Sequence, residues 1–345
     1  MAPSSHTHQG ESLDAARPQP LVSVVVAARN GAHQLPILFE ALSQQTLPGS
    51  EFEVIVVDDA SSDETSAVIE ASGIARGVRS DEPLGLPRAR NVGIREAAGG
   101  LIALTDADTV PDRTWLELGV ARMEETGADI LSGGVSIPLG DRPSIAALLD
   151  AMNWLDPERC VEGGFALGAN IWTRRATFER WGLFREDGTP YGHDDAEWGK
   201  RATRGGARLV YAPDVHLTHP ARARMRQVRQ KAYALGHGFA HHRRPPLNTV
   251  AGLPPLFLRP TPYLPPKRIP LERLRRRGHN PTAAEAVLIY LSQWLFVDLA
   301  KLAGDFAGEI AYARERRRQR DSPSPTADGP PQLAPRLAGS RSGQS

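Results

Sequence analysis

Two apolar runs constrain this chain more than anything else in it: Leu21-Val-Ser-Val-Val-Val-Ala27 and Phe52-Glu-Val-Ile-Val-Val57. Neither alternates polar with apolar over its length, so each reads as a strand buried on both faces, as in a parallel sheet covered by helices. Each breaks into a turn, at Arg29-Asn30-Gly31 and at Asp58-Asp59-Ala-Ser-Ser-Asp63, and then into a helix-spaced segment. The first helix, over residues 34 to 45, gathers Leu35, Leu38, Phe39 and Leu42 on one face, and Ser62 or Asp63 is placed to cap the second. The alternation continues with a weaker strand at residues 74 to 79, a helix opened by Gly85 and Pro87, a strand from Leu101 to Thr105, a helix over 115 to 125 and a short strand at Ile130-Leu131. Successive βα units of this length imply right-handed crossovers and an α/β fold, a mainly parallel central sheet with helices on both faces.

Ligands of such sheets collect beyond the carboxyl ends of the strands. Asp58 and Asp59 follow the second strand there, and Asp106-Ala-Asp108 follows the fourth. In an extended segment residues i and i+2 face one side, so Asp106 and Asp108 can converge on one object. Two acids repel unless a positive charge lies between them, and hard oxygen ligands suit Mg²⁺ or Mn²⁺ shared with the phosphates of a nucleotide. The chain has neither G-x-G-x-x-G after its first strand nor G-x-x-x-x-G-K-[ST] anywhere. A nucleotide would therefore be held by acids and a metal, without a phosphate loop.

The second half is different in character. Gly163-Gly-Phe-Ala-Leu-Gly168-Ala-Asn170 puts small residues where backbone approaches something closely, ahead of Arg174-Arg175 and a helix over 176 to 181. Tyr191-Gly-His-Asp194-Asp195-Ala-Glu197-Trp-Gly-Lys-Arg201 opens another helix. Its acids serve equally as N-terminal caps or, one of them, as a general base. Two short strands are expected at 208 to 211 and 214 to 218, before His219-Pro220, and a basic helix over 222 to 235. From Val215 to Leu271 there are ten Lys or Arg and no Asp or Glu, an asymmetry suited to a pyrophosphate, a nucleic acid or anionic headgroups. His237, His241 and His242 read as basic surface. Further on, Val287-Leu-Ile-Tyr-Leu-Ser-Gln-Trp-Leu-Phe-Val297 is apolar over eleven residues, short of the roughly 20 that span a bilayer. Arg273 to Arg277 and Arg316 to Arg318 flank it, which fits a helix lying in the interface as well as an ordinary packed helix.

Together these segments, over about 22 to 238, resemble the family 2 glycosyltransferases of the GT-A fold, which adds to the Rossmann-like parallel sheet a C-terminal helical extension in this chain. Ala27-Ala28-Arg29 stands at the family's nucleotide-side turn, Asp58-Asp59 at the acids that recognise the base, and Arg88, Arg90 and Asn91 in the segment flanking the nucleotide. Asp106-Ala-Asp108 falls at the family's D-x-D, the second acid binding metal and the first ribose or metal. Gly168-Ala-Asn170 resembles the acceptor-side segment. Asp194-Asp195-Ala-Glu197-Trp with Arg201 is similar to its E-D-x-D-L pattern, which puts the catalytic base at Asp195 and leaves Asp194, Glu197 and Arg201 on the acceptor side. His219 stands where many relatives complete the metal site. A Pro and an aromatic are missing from the opening turn, and there is no clear Q-x-x-R-W, a motif of processive members.

The resemblance implies an inverting, Mg²⁺- or Mn²⁺-dependent transfer from a nucleotide sugar, UDP-linked by default, to an acceptor hydroxyl that is either soluble or lipid-linked. Two other classes share parts of the pattern: a sugar-phosphate nucleotidyltransferase, which would carry a Gly-rich basic loop after the first strand, and a non-catalytic nucleotide-sugar-binding protein, which would lack the base. The implied organisation is a disordered leader (1–20), a catalytic domain (21–240) with a nucleotide-binding half (21–110) and an acceptor-binding half (111–240), a Pro/Arg-rich linker with the apolar helix (241–318) and a disordered tail (319–345). At 345 residues and a net charge of +1 the chain can bury a full core and is no general nucleic-acid binder. Its one cysteine, Cys160, excludes an internal disulfide, and with no secretory signal in the first twenty residues the expected location is cytoplasmic, with peripheral contact on the inner membrane face as the variant.

Overall fold

A computed structural model describes residues 19–186, 193–242 and 269–321. Most of the leader, Tyr191, most of the Pro/Arg-rich linker and the tail lie outside the described residues, as do the side chains of His241 and His242.

The opening alternation folds as its pattern dictates. β1 (Val22–Ala28), α1 (Leu35–Ser43), β2 (Phe52–Asp59), α2 (Thr65–Ala71), β3 (Ala75–Ser80), α3 (Leu86–Glu96) and β4 (Leu101–Asp106) follow in order. β1 pairs in parallel with β2 and β4, and β2 with β3. Side-chain alternation then divides each strand between two cores. Val22, Val24, Val26, Val54, Val56 and Ala103 join α1 and α2 on one face, while Val25, Ile55, Ile102 and Leu104 pack toward Ile94 of α3 on the other. That is why these strands are apolar throughout. α2 starts one residue later than expected: Glu64 is its N-cap, and Asp63 accepts from the Thr65 N–H at 3.2 Å.

The second half interleaves its strands. After β5 (Val110–Pro111), α4 (Trp115–Thr126) and β6 (Ile130–Ser136), the short helices α5 (Ile145–Asn153) and α6 (Pro157–Glu162) intervene before β7 (Asn170–Arg174), α7 (Arg175–Trp181), α8 (Asp194–Arg204) and β8 (Leu209–Thr218). The eight-stranded sheet has the order β3-β2-β1-β4-β7-β6-β8-β5. β7 runs antiparallel to β4 and β6, β8 runs parallel to β6, and β5 is antiparallel to β8. The sheet is thus parallel in its first four strands and mixed beyond them. The two strands expected at 208 to 218 are one strand with a bulge: Gly133 pairs with Ala212 but Gly134 with His216, so Pro213, Asp214 and Val215 loop out between them.

A third core joins the rest. α9 (Met225–His242), α10 (Glu272–Arg276), α11 (Ala283–Ser292), a wider π-helical turn (Gln293–Asp298) and α12 (Leu299–Asp321) complete the described fold. Val228, Ala232, Leu274, Ile289 and Val297 pack there against Leu148, Leu149 and Met152 of α5. Thr282 and Glu285 close a reciprocal capping box at the start of α11, and helix then continues through the π turn to Asp321, well past the eleven-residue apolar run expected. Its stretch Ala283–Gly308 is long and apolar enough to cross a membrane by length and composition. α9 and α12 cross at two glycines, where a Cβ on Gly236 would sit 2.0 Å from the Lys301 carbonyl oxygen and one on Gly304 2.0 Å from that of Tyr233.

Candidate active site

The D-x-D turn is set by the strands around it. β4 ends on Asp106, Thr109 donates back to the Asp106 carbonyl at 2.9 Å, and β5 pairs Val110 with Thr218 and Pro111 with Leu217. That register carries the residue after β8, His219, over the turn. His219 is buried, with Nε2 3.4 Å from Asp108 Oδ1 and 3.8 Å from Asp106 Oδ2. Asp106, Asp108 and His219 present three ligand atoms within 4.8 Å of one another, the one such cluster among the described residues.

The tautomer of His219 follows from its other nitrogen. Nδ1 lies 2.8 Å from the Pro220 carbonyl oxygen, which can only accept, so Nδ1 carries the hydrogen. In the neutral ring Nε2 then points a lone pair at two carboxylates. Burial, with the Asp106 charge beside it, pushes the Asp108 carboxyl above its ordinary value, although His219 pulls the other way. Asp106 goes below its ordinary value: burial opposes this, but Arg90 and His219 outweigh it. The donor set of two carboxylate oxygens and an imidazole nitrogen fits Mg²⁺ or Mn²⁺.

Arg90, from α3, ties this turn to the far side of the cleft. It donates to Asp106 Oδ1 at 3.1 Å, to Asp194 Oδ2 at 2.7 Å and to the Gly168 carbonyl at 3.0 Å. The same Gly168 peptide donates its N–H to Asp195 at 2.9 Å. A Cβ at Gly168 would come within 3.1 Å of both side chains, which explains the small residue. Asp194 and Asp195 begin α8 behind His193, whose φ of 65° is left-handed backbone held at the helix N-cap. Asp194 is spent on Arg90. Asp195 keeps a carboxyl raised above its ordinary value by burial and then by the Asp194 charge, against the pull of Arg90.

The expected site residues therefore divide. Asp106, Asp108, His219, Arg90, Asp194 and Asp195 are brought together. Asp58 and Asp59 are buried and occupied by the protein: Asp58 accepts from the Ser61 N–H at 2.9 Å, from the Ser66 hydroxyl and from Arg79 at 2.6 Å, and Asp59 accepts from the Leu84 and Gly85 N–H groups. Burial works to raise the Asp58 carboxyl, but the Ser61 and Ser66 hydrogen bonds and Arg79 bring it below the ordinary value. These acids hold the loops after β2 and before α3. The turn after β1 is stitched to them, Asn30 N–H reaching Ser61 at 2.9 Å and Gly31 N–H reaching Thr65 at 2.8 Å, while Ala27 is the penultimate residue of β1 and Arg29 is exposed.

Five other expected site residues have structural partners. Asn91 is fully buried and spends its amide on the Phe184 backbone, at 2.8 Å and 3.1 Å, and on Glu186. Arg88 reaches out to Glu186 on the surface, with 52% of its side chain exposed. Asn170 accepts from Trp115 Nε1 at 3.0 Å and donates to the Gly134 and Val215 carbonyls at 3.0 and 2.8 Å, pinning β7 to the β8 bulge. Glu197 and Arg201 pair at 3.1 Å, and Arg201 caps the Trp181 and Leu183 carbonyls. Buried Asn and paired Glu are cheapest where they satisfy loop backbone, and that demand is local to the fold.

Two further polar groups were not singled out from the sequence. Asp150 on α5, wholly buried, accepts from the Arg222 N–H at 3.0 Å and its guanidinium at 3.1 Å, which fixes the chain just after His219. Lys231 falls on the same face of α9 as buried Val228 and Ala232. Burial and the neighbouring Arg222 push its ammonium below the ordinary lysine value, against the opposing charges of Asp106, Asp195 and Asp194. A lysine three residues after one core residue and one before another was the available signal. At Cys160 burial pushes the thiol up to about 12.

The acid-imidazole cluster and the adjacent carboxyl pair of α8 together form the candidate site of this mixed-sheet fold. The sequence profile of Glycosyl transferase family 2 matches residues 23–180. Glycosyltransferase AglE of Haloferax volcanii is 31% identical over 302 residues, 85% of this chain and 96% of that protein. The succinoglycan biosynthesis protein ExoO of Rhizobium meliloti is 36% identical over 137 residues, 38% of each chain. Among solved structures, the mannosyltransferase PcManGT from Pyrobaculum calidifontis, in complex with GDP-Man and Mn²⁺, superposes with a TM-score of 0.51 at 21% identity, covering 86% of this chain and 76% of that one. The chain belongs to glycosyltransferase family 2 and is a glycosyltransferase. The nucleotidyltransferase and binding-protein readings fall with that membership.

Proposed function

We propose that the enzyme transfers a sugar, with inversion and with a divalent cation, from a nucleoside diphosphate sugar to an acceptor hydroxyl, one sugar per encounter. The single observation that carries the metal requirement is the convergence of Asp106, Asp108 and His219, whose ligand atoms lie within 4.8 Å of one another. Asp108 and His219 would hold it, with the free oxygen of Asp106, and it would supply positive charge against the departing diphosphate. Asp195 takes the acceptor proton as the hydroxyl oxygen bonds to the anomeric carbon, and the bond from that carbon to the diphosphate oxygen breaks with its electron pair leaving on oxygen. Arg90 fixes Asp194 at 2.7 Å beside α8's next acid, and the Asp194 charge helps to raise the Asp195 carboxyl. Asp58 and Asp59 hold the loops that frame the base of the nucleotide. UDP-sugars are the first donors to test, and GDP-mannose belongs in the panel because PcManGT was solved with it.

The test is a donor panel assayed for Mn²⁺-dependent release of nucleoside diphosphate, followed by NMR of the anomeric proton in the product. Diphosphate release that needs the metal, with product of inverted configuration, is the expected result. Retention of configuration, or turnover unaffected by chelation, would overturn the reading.

A further inference from the structure

The helical run that closes the fold has two unlike faces. Ile289, Ser292, Gln293, Val297 and Ala300 are buried, and Gln293 exchanges hydrogen bonds with Asn153 of α5 at 2.7 and 3.2 Å. The opposite face carries Val287, Leu288, Leu291, Leu295 and Leu299, the first of them 61% exposed. Phe306 and Ile310 prolong the same line along α12. From Val287 to Ile310 the stripe runs about 35 Å at 1.5 Å per residue. A soluble helix normally turns its polar side outward, and here the outward side is the apolar one. Of the acids on this run whose side chains are described, Asp305 is buried and Asp298 accepts from Gln293 at 2.9 Å.

Cations bracket the stripe. Arg275 and Arg276 are exposed on α10 just ahead of it, and Arg314 is exposed beyond its far end. Nearby α9 exposes Arg226, Arg229 and Tyr233. A protein partner would need acidic patches matched to both ends of a long apolar line. An anionic bilayer offers acyl chains beneath a uniform layer of negative headgroups. The run is long enough to span a membrane, yet its inner face is committed to α5 and α9, and the glycine crossing at Gly236 and Gly304 holds it there.

We infer that α11 and α12 lie in the plane of an anionic membrane surface, the Val287-to-Ile310 stripe sunk to the acyl boundary and Arg275, Arg276 and Arg314 in the headgroup layer. This places a transferase cleft beside lipid, so that a hydroxyl acceptor anchored there diffuses to it in two dimensions.

The experiment is flotation of the full chain with vesicles of phosphatidylcholine alone and of phosphatidylcholine with phosphatidylglycerol. Binding to the anionic vesicles, weakened by salt, is expected. Leu291→Asp with Leu295→Asp, both at exposed positions, should reduce the partition coefficient at least about tenfold. Arg275→Ser with Arg276→Ser should remove the preference for anionic lipid while leaving the melting temperature unchanged. Absence of binding to anionic vesicles by the folded protein would overturn the inference. So would a chain-concentration-dependent dimer that the Leu pair abolishes in the absence of any vesicle binding, since the stripe would then be a contact between copies.

Discussion

Arg90 and Asp194 form an ion pair at 2.7 Å in which each side chain is only 4% exposed. Through its second nitrogen the same guanidinium holds Asp106, so one side chain of α3 fixes the distance between the Asp106–Asp108 turn and α8, which carries the proposed base. A buried pair broken on one side leaves the other charge unsolvated, at a cost of about 3–5 kcal/mol. Arg90→Met should therefore lower the melting temperature sharply. Arg90→Lys keeps the charge but cannot fork between two carboxylates and a carbonyl; it should fold better than the Met variant and still lose most of its kcat. Equal activity of Arg90→Lys and wild type would remove Arg90 from the positioning role.

For Asp195 the sign of the pH effect separates base from cap. Its carboxyl is raised in the folded protein from the ordinary 3.8, so its contribution to stability is present below that value and lost as pH rises through the folded pKa. The ionised form at neutral pH is thus a cost to the fold. Asp195→Asn should melt no lower than wild type at pH 7, with any advantage shrinking as pH approaches 3.8. Turnover should nevertheless fall by about 10² to 10⁴ with donor binding retained. A stabilising cap would give the opposite pattern, loss of stability with kcat kept.

The three ligands of the acid-imidazole cluster are unequal. Asp106 already spends one oxygen on Arg90, whereas Asp108 Oδ1 and His219 Nε2 face each other at 3.4 Å. Asp108→Ala and His219→Ala should each weaken Mn²⁺-dependent nucleotide binding by at least about 10- to 100-fold, measured by calorimetry with and without chelator. Asp106→Asn, which can still accept from Arg90, should cost less. Nucleotide affinity that is indifferent to Mn²⁺ in the wild type would contradict the cluster's role.

How much of this was legible in the chain depends on which contacts a residue needs. β1, β2 and β4 were readable because a strand buried on both faces must be apolar at every position, and the acids that follow them were readable because strand ends in such a sheet face ligand. Asn91, Asn170 and Arg201 have structural partners that the sequence does not show, for a common reason. Their polar groups satisfy backbone of segments far away in sequence, Phe184 for Asn91 and Val215 for Asn170, and no local pattern marks that demand. The place of His219 over the D-x-D depends on a bulge at residues 213 to 215, which made one strand look like two. The C-terminal helix was underestimated because its polar interruptions, Gln293 and Asp305 among them, point inward.

Glu197 offers a direct check on that reading. Its carboxylate holds Arg201 at 3.1 Å in a partly exposed pair, and Arg201 in turn caps the Trp181 and Leu183 carbonyls. Glu197→Gln should lower stability by about 1 kcal/mol and leave kcat and acceptor KM unchanged. A rise in acceptor KM without loss of stability would return Glu197 to the acceptor side.

Lys231 provides the most discriminating pH experiment. Asp195 and Asp106 both act to raise the Lys231 ammonium while burial and Arg222 lower it, and by reciprocity the lysine charge holds both carboxyls down. Lys231→Met removes that charge while keeping the stem that packs beside Val228 and Ala232. The acidic limb of kcat/KM, which reports the free enzyme's base, should then move to higher pH, because Asp195 loses a neighbour that favours its ionised form. Arg222→Met would also remove a charge near Asp106 and Asp108, but it leaves Asp150 buried and unpaired, so its main effect should be on melting temperature. A limb that stays in place for Lys231→Met, in a protein that folds and binds donor normally, would mean that the lysine charge does not reach the base.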